Sequence, residues 1–164
     1  MSITADIVET MSPVGILSDT HGLLRDEALA MLADCRPLIH LGDVGDPAIL
    51  ERLAERGPLY SVRGNIDREG ACAALPSHRL LVINGRALQL VHDVADVDGR
   101  MACEAVLHGH SHKPRNEWRG EGAERKLWFN PGAAGKRRFR LPITLGKLWI
   151  DANGIRGAIM HLPL

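Results

Sequence analysis

The sequence predicts an α/β fold of two sheets packed together with helices outside, and a polar site at the carboxyl ends of the strands. Three observations carry this. From residue 14 to 65, short apolar runs alternate with stretches of helical character, which is how βαβ units and a mostly parallel sheet read in sequence. From residue 78 onward the pattern changes to apolar runs paired across tight-turn residues, the mark of antiparallel hairpins. In each of the first three units a ligand-type side chain stands just beyond the strand, where open α/β sheets build their sites.

Val-Gly-Ile-Leu-Ser at 14–18 is a buried strand running into Asp19-Thr20-His21-Gly22. Residues 24–33 carry apolar side chains at the spacing of an amphipathic helix. Residues 37–41 form the second strand and deliver Gly42 and Asp43. Asp46-Pro47 then opens a helix, with Asp as N-cap and Pro at the first helical position, and the helix ends near Gly57-Pro58. The third strand, 59–62, delivers Arg63, Gly64 and Asn65. Residues 78–83 and 86–91 flank Asn84-Gly85, a pair that supplies the positive φ of a two-residue hairpin turn. A short strand at 105–107 leads into His108-Gly109-His110-Ser111-His112, and 126–129 precedes Asn130-Pro131-Gly132. Residues 144–150 pair with 155–160 across the turn at 151–154. No repeat, low-complexity tract or linker interrupts the chain, so 13–164 reads as a single domain behind a 1–12 extension, with Met11 a candidate alternative start.

Bulk properties exclude several classes. The 164 residues suffice for one domain with a real core. Lys+Arg and Asp+Glu are both 20, so no global field attracts nucleic acid or an anionic membrane. With three Trp, one Tyr and two Phe, a stacking platform for single strands is disfavoured. The one basic cluster, 136–140, either guides a phosphate or is a solvated loop. Three dispersed cysteines without a Cys-x-x-Cys argue against disulfides and zinc ribbons and suit the cytoplasm. No apolar run reaches membrane-spanning length, and the N-terminus lacks a secretory signal pattern.

The chemistry lies in Asp19, His21, Asp43, Asn65, His92, His110 and His112: two carboxylates, one amide, four imidazoles and no thiol. Such oxygen and nitrogen donors suit divalent manganese, iron, nickel or zinc. They are too many for one ion and about right for two that share a carboxylate. Singly, each has an ordinary explanation. Asp19 could cap a helix, Asn65 could be a turn residue tolerating positive φ, and His92 could be a satisfied core histidine. The capping role open to Asp43 is better filled by Asp46. Jointly, seven such residues beyond successive strands, most beside a glycine, point to a binuclear metal site.

The series Asp-x-His, Gly-Asp, Gly-Asn-x-Asp, His, Gly-His-Ser-His resembles the calcineurin-like metallophosphoesterase superfamily, and in length its small single-domain bacterial and archaeal phosphodiesterase branch. The resemblance spans 14–160, including Asn130-Pro131-Gly132, where that branch reads Asn-Pro-Gly-Ser. It implies a four-layer α-β-β-α sandwich, two mixed sheets flanked by helices. It implies one metal on Asp19, His21 and His112, a second on Asn65, His92 and His110, and Asp43 bridging, with a hydroxide between the metals as nucleophile. Manganese is the first candidate, then nickel, iron or zinc. Arg63 resembles the phosphate-contacting arginine of the Ser/Thr phosphoprotein phosphatases, or is simply a surface arginine at a strand end. With Asn65, it and His108, which shares a face with His110, are the candidate catalytic residues.

Departures from the pattern matter. Ile66 stands where many members carry a general-acid histidine, and Asp93 where a glycine usually follows the histidine; Ala133 replaces the serine. Asp67 matches the motif or caps the segment after it, Asp93 adds a charge at the site or points to solvent, and His40, alternating with Gly42, reads as structural. The expected function is a metal-dependent phosphodiesterase acting on a small substrate. The alternatives are a phosphomonoesterase on the same site and a non-catalytic protein-binding scaffold. Hairpins at 79–91 and 144–160 are candidates for a homodimer contact, or for core.

Overall fold

The computed structural model describes residues 4–164. Eleven strands form two mixed sheets. The first sheet grows from the βαβ units: β2 (Val14–Leu17), β3 (Leu38–His40) and β4 (Leu59–Ser61) lie side by side and parallel. Parallel strands need a crossover, and helices α1 (Asp26–Met31) and α2 (Pro47–Ala54) supply it. Helix α2 starts as its sequence requires, with Asp46 Oδ1 accepting from Ala48 N at 2.9 Å and Pro47 leading the first turn. Helix α1 is shorter than its periodicity suggests. It lacks a side-chain cap and ends at Leu32 in a tight turn.

The second sheet has the order β1-β5-β6-β7-β9-β8. Strands β5 (His78–Ile83) and β6 (Arg86–Val91) form the Asn84-Gly85 hairpin, with both turn residues at positive φ. Strands β6, β7 (Ala105–Leu107) and β9 (Lys126–Asn130) are parallel neighbours, so the second half is not purely antiparallel. Two strands escape the hydrophobic pattern. One is the edge strand β8 (Arg115–Arg119), almost wholly exposed and polar. The other is β1 (Ala5–Val8), which lies inside the expected extension and pairs parallel with β5. Residues 1–3 of that extension lie outside the described residues.

The C-terminal hairpin, β10 (Thr144–Asp151) and β11 (Gly154–His161), crosses back to the first sheet, where β10 pairs antiparallel with β2. One core fills the space between the sheets, with Ile16, Ile39 and Val62 facing Leu81, Leu88, Leu107 and Phe129. A second core lies under α1 and α2, around Leu29, Leu32, Leu53 and Leu145. Leu81, Ile83, Leu88, Leu90, Leu148 and Ile150 are all buried, so these positions of the two hairpins belong to the core. The connection from β6 to β7 is latched to the second sheet by Gln89, which donates to Asp98 O at 3.1 Å and accepts from Asp98 N at 2.7 Å. No described helix is long and apolar enough to cross a membrane.

Candidate metal centre

The site occupies the gap where the carboxyl ends of β2, β3 and β4 meet those of β6 and β7, so both sheets contribute. Its loops are strained. Asp19 (φ 55°), His21 (47°), Asp43 (56°), His110 (69°) and His112 (62°) are all left-handed, and among the described residues only Asn84 and Phe139 share this without being glycine. Each such residue costs roughly 1–3 kcal/mol and persists only where its surroundings over-determine it.

The surroundings do so. Asp19 N, His21 N and Gly22 N donate to Gly42 O, Asp43 O and Val44 O at 2.8–3.0 Å, which laces the first two loops together. Asp67, buried beneath them, accepts from Gly64 N at 2.9 Å and from Val44 N and Gly45 N at 3.2 Å, so one carboxylate ties the second loop to the third. Asn130 anchors the last loop, its amide donating to Gly109 O and Ser111 Oγ at 3.1 Å and its carbonyl accepting from Gly132 N at 2.9 Å. Glycine is required where the loops touch: a Cβ on Gly64 would sit 2.1 Å from Asp43 N, and one on Gly109 would sit 2.2 Å from Ser18 Oγ.

Each carboxylate is anchored by one oxygen and offers the other. Asp19 Oδ2 accepts from Ser18 Oγ at 2.7 Å and from His110 N at 3.1 Å, while its buried Oδ1 has no partner. Asp43 Oδ1 accepts from Ile66 N at 3.1 Å. Its Oδ2 lies 3.4 Å from His21 Nε2 and 3.3 Å from His92 Nε2, between the two halves of the site. Burial alone pushes both carboxyls up. For Asp19 the imidazoles of His112 and His21 outweigh it, for Asp43 the imidazole of His92 and the Ile66 N–H, and both groups titrate below their usual range. Both are therefore anionic at neutral pH.

The histidines are set in the same manner. His92 Nδ1 lies 2.7 Å from Leu41 O, a contact only an N–H can make, so Nε2 presents a lone pair to the site. Burial lowers the basicity of His92, but the Asp43 and Asp19 carboxylates lift its pKa to about 8, so a cation would displace a proton there. His112 Nε2 lies 3.4 Å from Asp19 Oδ1 and 3.3 Å from His21 Nε2. Two donor triads result, Asp19–His21–His112 and Asp43–His92–His110, each with its ligand atoms within 4.8 Å of one another.

Asn65 supplies the test of fit. Its Oδ1 points at His92 Nε2 (3.1 Å) and His110 Nδ1 (3.2 Å), and the Asp43 carboxylate oxygens lie 3.2 Å away. An amide oxygen there needs a cation or a protonated imidazole facing it, and His92, with its raised pKa, can supply the latter. Turning the amide would satisfy its hydrogen bonds, but the orphaned Asp19 Oδ1 and the clustered His21 and His112 nitrogens would still demand a positive charge. The donor set fits two divalent ions.

The remaining expected residues divide. Arg63 Nη1 donates to Ala73 O at 3.2 Å, at the end of a short helix, α3 (Gly70–Ala73), which gives it a structural partner. His108 is buried, and that burial lowers its pKa to about 4; Arg115 Nη1 approaches its Nε2 at 3.5 Å. Ile66 is 40% exposed at the rim, its N–H on Asp43. Asp93 does not simply face solvent. Oδ1 accepts from Ala95 N at 3.0 Å, capping a 3-10 turn, and Oδ2 lies 3.6 Å from His110 Nε2. His40, fully buried, is structural: Thr20 Oγ1 donates to Val44 O at 2.9 Å and so takes the His40 Nε2–H at 3.0 Å, while Gly42 N donates to His40 Nδ1 at 3.1 Å. Sequence reading missed the clamp made by Asp67; the only signal was a carboxylate two residues after Asn65 that the short helix behind it did not need for capping, that cap being Glu69.

The calcineurin-like phosphoesterase superfamily domain matches residues 13–153. A probable metallophosphoesterase of Methanothermobacter thermautotrophicus is 26% identical over 116 residues, which cover 62% of this chain and 67% of that protein. Another from Methanocaldococcus jannaschii is 29% identical over 119 residues, covering 62% of this chain and 59%, less than two thirds, of its own length. Among solved structures, Yfce, a phosphoesterase from E. coli, superposes with a TM-score of 0.68 at 24% identity over 92% of this chain and 99% of that one. Vacuolar Protein Sorting 29 from Cryptosporidium parvum gives 0.67 at 18% identity, over 92% of this chain and 97% of that one. At such identities the likeness establishes the fold.

Proposed function

The chain belongs to the calcineurin-like phosphoesterase superfamily, and from that premise we propose that it is a phosphodiesterase working with two divalent cations. The observation that carries this is the pair of donor triads, Asp19–His21–His112 and Asp43–His92–His110, with a buried Asp19 Oδ1 that no protein group satisfies. Asp19, His21 and His112 would hold one cation, Asn65, His92 and His110 the other, and Asp43 both. Manganese is the first candidate for this mixed oxygen and nitrogen set, with nickel, iron or zinc also compatible. Divalent cations, when bound, supply Lewis acidity toward a phosphoryl group and toward the attacking water.

The chain's own residues do the positioning. The Leu41 carbonyl fixes the His92 ring, the Ile66 and His110 amides hold the two carboxylates, and Asp67 locks the loops beneath them. Asp93 supports preference for a diester. Its carboxylate beside His110 adds negative charge at the second triad, which penalises a dianionic monoester more than a monoanionic diester. Arg63, held through Nη1 on Ala73 O, and His108, whose buried Nδ1 has no hydrogen-bond partner, are the candidate contacts for the phosphate and leaving group in this reading.

Chelation should abolish hydrolysis of bis-p-nitrophenyl phosphate, and manganese should restore it. Asn65→Ala should cost roughly 10²–10³-fold in kcat, the scale of one lost preorganised electrostatic contact, and Asp43→Asn more, with bound metal falling below two per chain. kcat/KM should favour the diester over p-nitrophenyl phosphate, and Asp93→Asn should narrow the gap. Full activity after chelation rules the reading out. A protein that binds metal and hydrolyses neither ester would instead be a scaffold.

A further inference from the structure

The proposed metal site makes no use of the loop at 136–140, Lys-Arg-Arg-Phe-Arg. Phe139 at its tip is 91% exposed and left-handed, with φ 53°. A bulky aromatic is strained there, and Phe139 belongs to neither core. Burial and backbone preference both oppose this placement, and no contact inside the described chain compensates for it.

The loop is held beside the first donor triad. Ala134 N donates to Ser18 O at 3.1 Å, and Arg25 Nε donates to Gly135 O at 2.9 Å. The approach is so close that a Cβ on Gly135 would meet Thr20 O at 2.0 Å. Arg137 Nη1 braces the turn by donating to Leu141 O at 3.2 Å. Across from it, Lys113 directly follows His112, and Lys113, Phe139, Arg140 and Leu141 line an open trough of about 800 Å³. No Asp or Glu occurs between Glu124 and Asp151. Among the described residues none of the cations at 113, 136, 137, 138 and 140 has a carboxylate within 4.0 Å.

We propose that this trough is a nucleotide subsite, in which Phe139 stacks on a base while Lys113 and Arg140 hold a phosphate other than the one at the metal donors. That the base and second phosphate belong to one arm of the substrate rests on the metallohydrolase reading above. An aromatic plate flanked by unpaired cations, on segments that also border the first donor triad, matches a small nucleotide diester carrying a further phosphate. A long nucleic acid would ask for successive stacking platforms and a basic face, whereas the other exposed aromatic, Trp118, is already covered by the Arg125 guanidinium and the chain carries no net charge.

Calorimetry with thymidine 5′-monophosphate, which carries the base and a single phosphate and so places nothing at the metal donors, on chelated protein so that hydrolysis plays no part, tests the subsite. Phe139→Ala should weaken binding about tenfold, the scale of one lost stacking partner, and Phe139→Trp should retain it. Lys113→Ala with Arg140→Ala should weaken it at least about tenfold and flatten its salt dependence. Ribose 5-phosphate, lacking the base, should bind the wild type and Phe139→Ala equally. All these residues are exposed, and unchanged melting curves will show that the variants fold. No binding by the wild type, equal binding by Phe139→Ala, or far tighter binding of a single-stranded decanucleotide would overturn the proposal. Because chelated protein is used, loss of Phe139-dependent binding counts against the subsite alone, and failure of metal to restore hydrolysis counts against the enzyme alone.

Discussion

Ile66 shows how one side chain sets the demands of a reaction. Its backbone N–H holds Asp43, while its exposed side chain has no proton to give. A positioned imidazole acid typically contributes about 10²–10⁴-fold, chiefly for poor leaving groups. Rates across a series of aryl and alkyl phosphodiesters should therefore fall steeply as leaving-group pKa rises, and Ile66→His should flatten the slope; a shallow slope in the wild type would reveal another acid. His40 makes a different prediction. Burial lowers its pKa from 6.5 to about 4, so between those values the unfolded chain binds a proton that the native state refuses. Stability rises with pH across that window, and acidification from pH 7 to 4 should remove about 3 kcal/mol through this residue. Urea unfolding of chelated His40→Gln should show a pH slope shallower by that amount, and an unchanged slope would refute it.

At the scale of elements, the donor loops are joined by contacts too close for side chains. Gly64 packs on the backbone of Asp43, so Gly64→Ala must prise the second and third loops apart. We expect a stability loss of about 1–3 kcal/mol and metal affinity weakened about 10–100-fold, as when the support of a ligand is removed. Gly99→Ala, where nothing lies within 4 Å of the new methyl, should leave both unchanged; titration calorimetry and thermal melts on the two variants check this. The same scale explains what was readable in advance. Asp46-Pro47, Asn84-Gly85 and the apolar strands β2 and β7 each encode their state locally, by capping, turn geometry or unbroken hydrophobicity. The polar strand β8 and the short β1 are strands only because a neighbour offers them an edge. Likewise, pattern within 144–160 says hairpin but not which sheet receives it; that choice lies in the pairing of β10 with β2. The seven donors were legible because each sits beside local signals, whereas the clamping roles of Asp67 and Asn130 depend on where distant backbone amides and carbonyls arrive.

Over the whole molecule, the two donor triads draw on both sheets, so bound cations would fasten one sheet to the other. A ligand that binds only the native state adds about 2.7 kcal/mol at one hundred times its dissociation constant. For a chain of this size that corresponds to roughly 5–10 °C in melting temperature. Calorimetric scans with and without manganese should show such a rise in the wild type and little in Asp43→Asn; no rise in the wild type would contradict a shared centre. The pairing of β10 with β2 has one more consequence, which concerns synthesis. The strand that carries Asp19 and His21 to the site stays an open edge until residues 144–151 emerge and close over it. A nascent chain therefore exposes its donors long before it can hold them in register. In the two-cation reading, the choice of ion would therefore fall to the chain with this edge closed, and not to whichever metal its surroundings offer first.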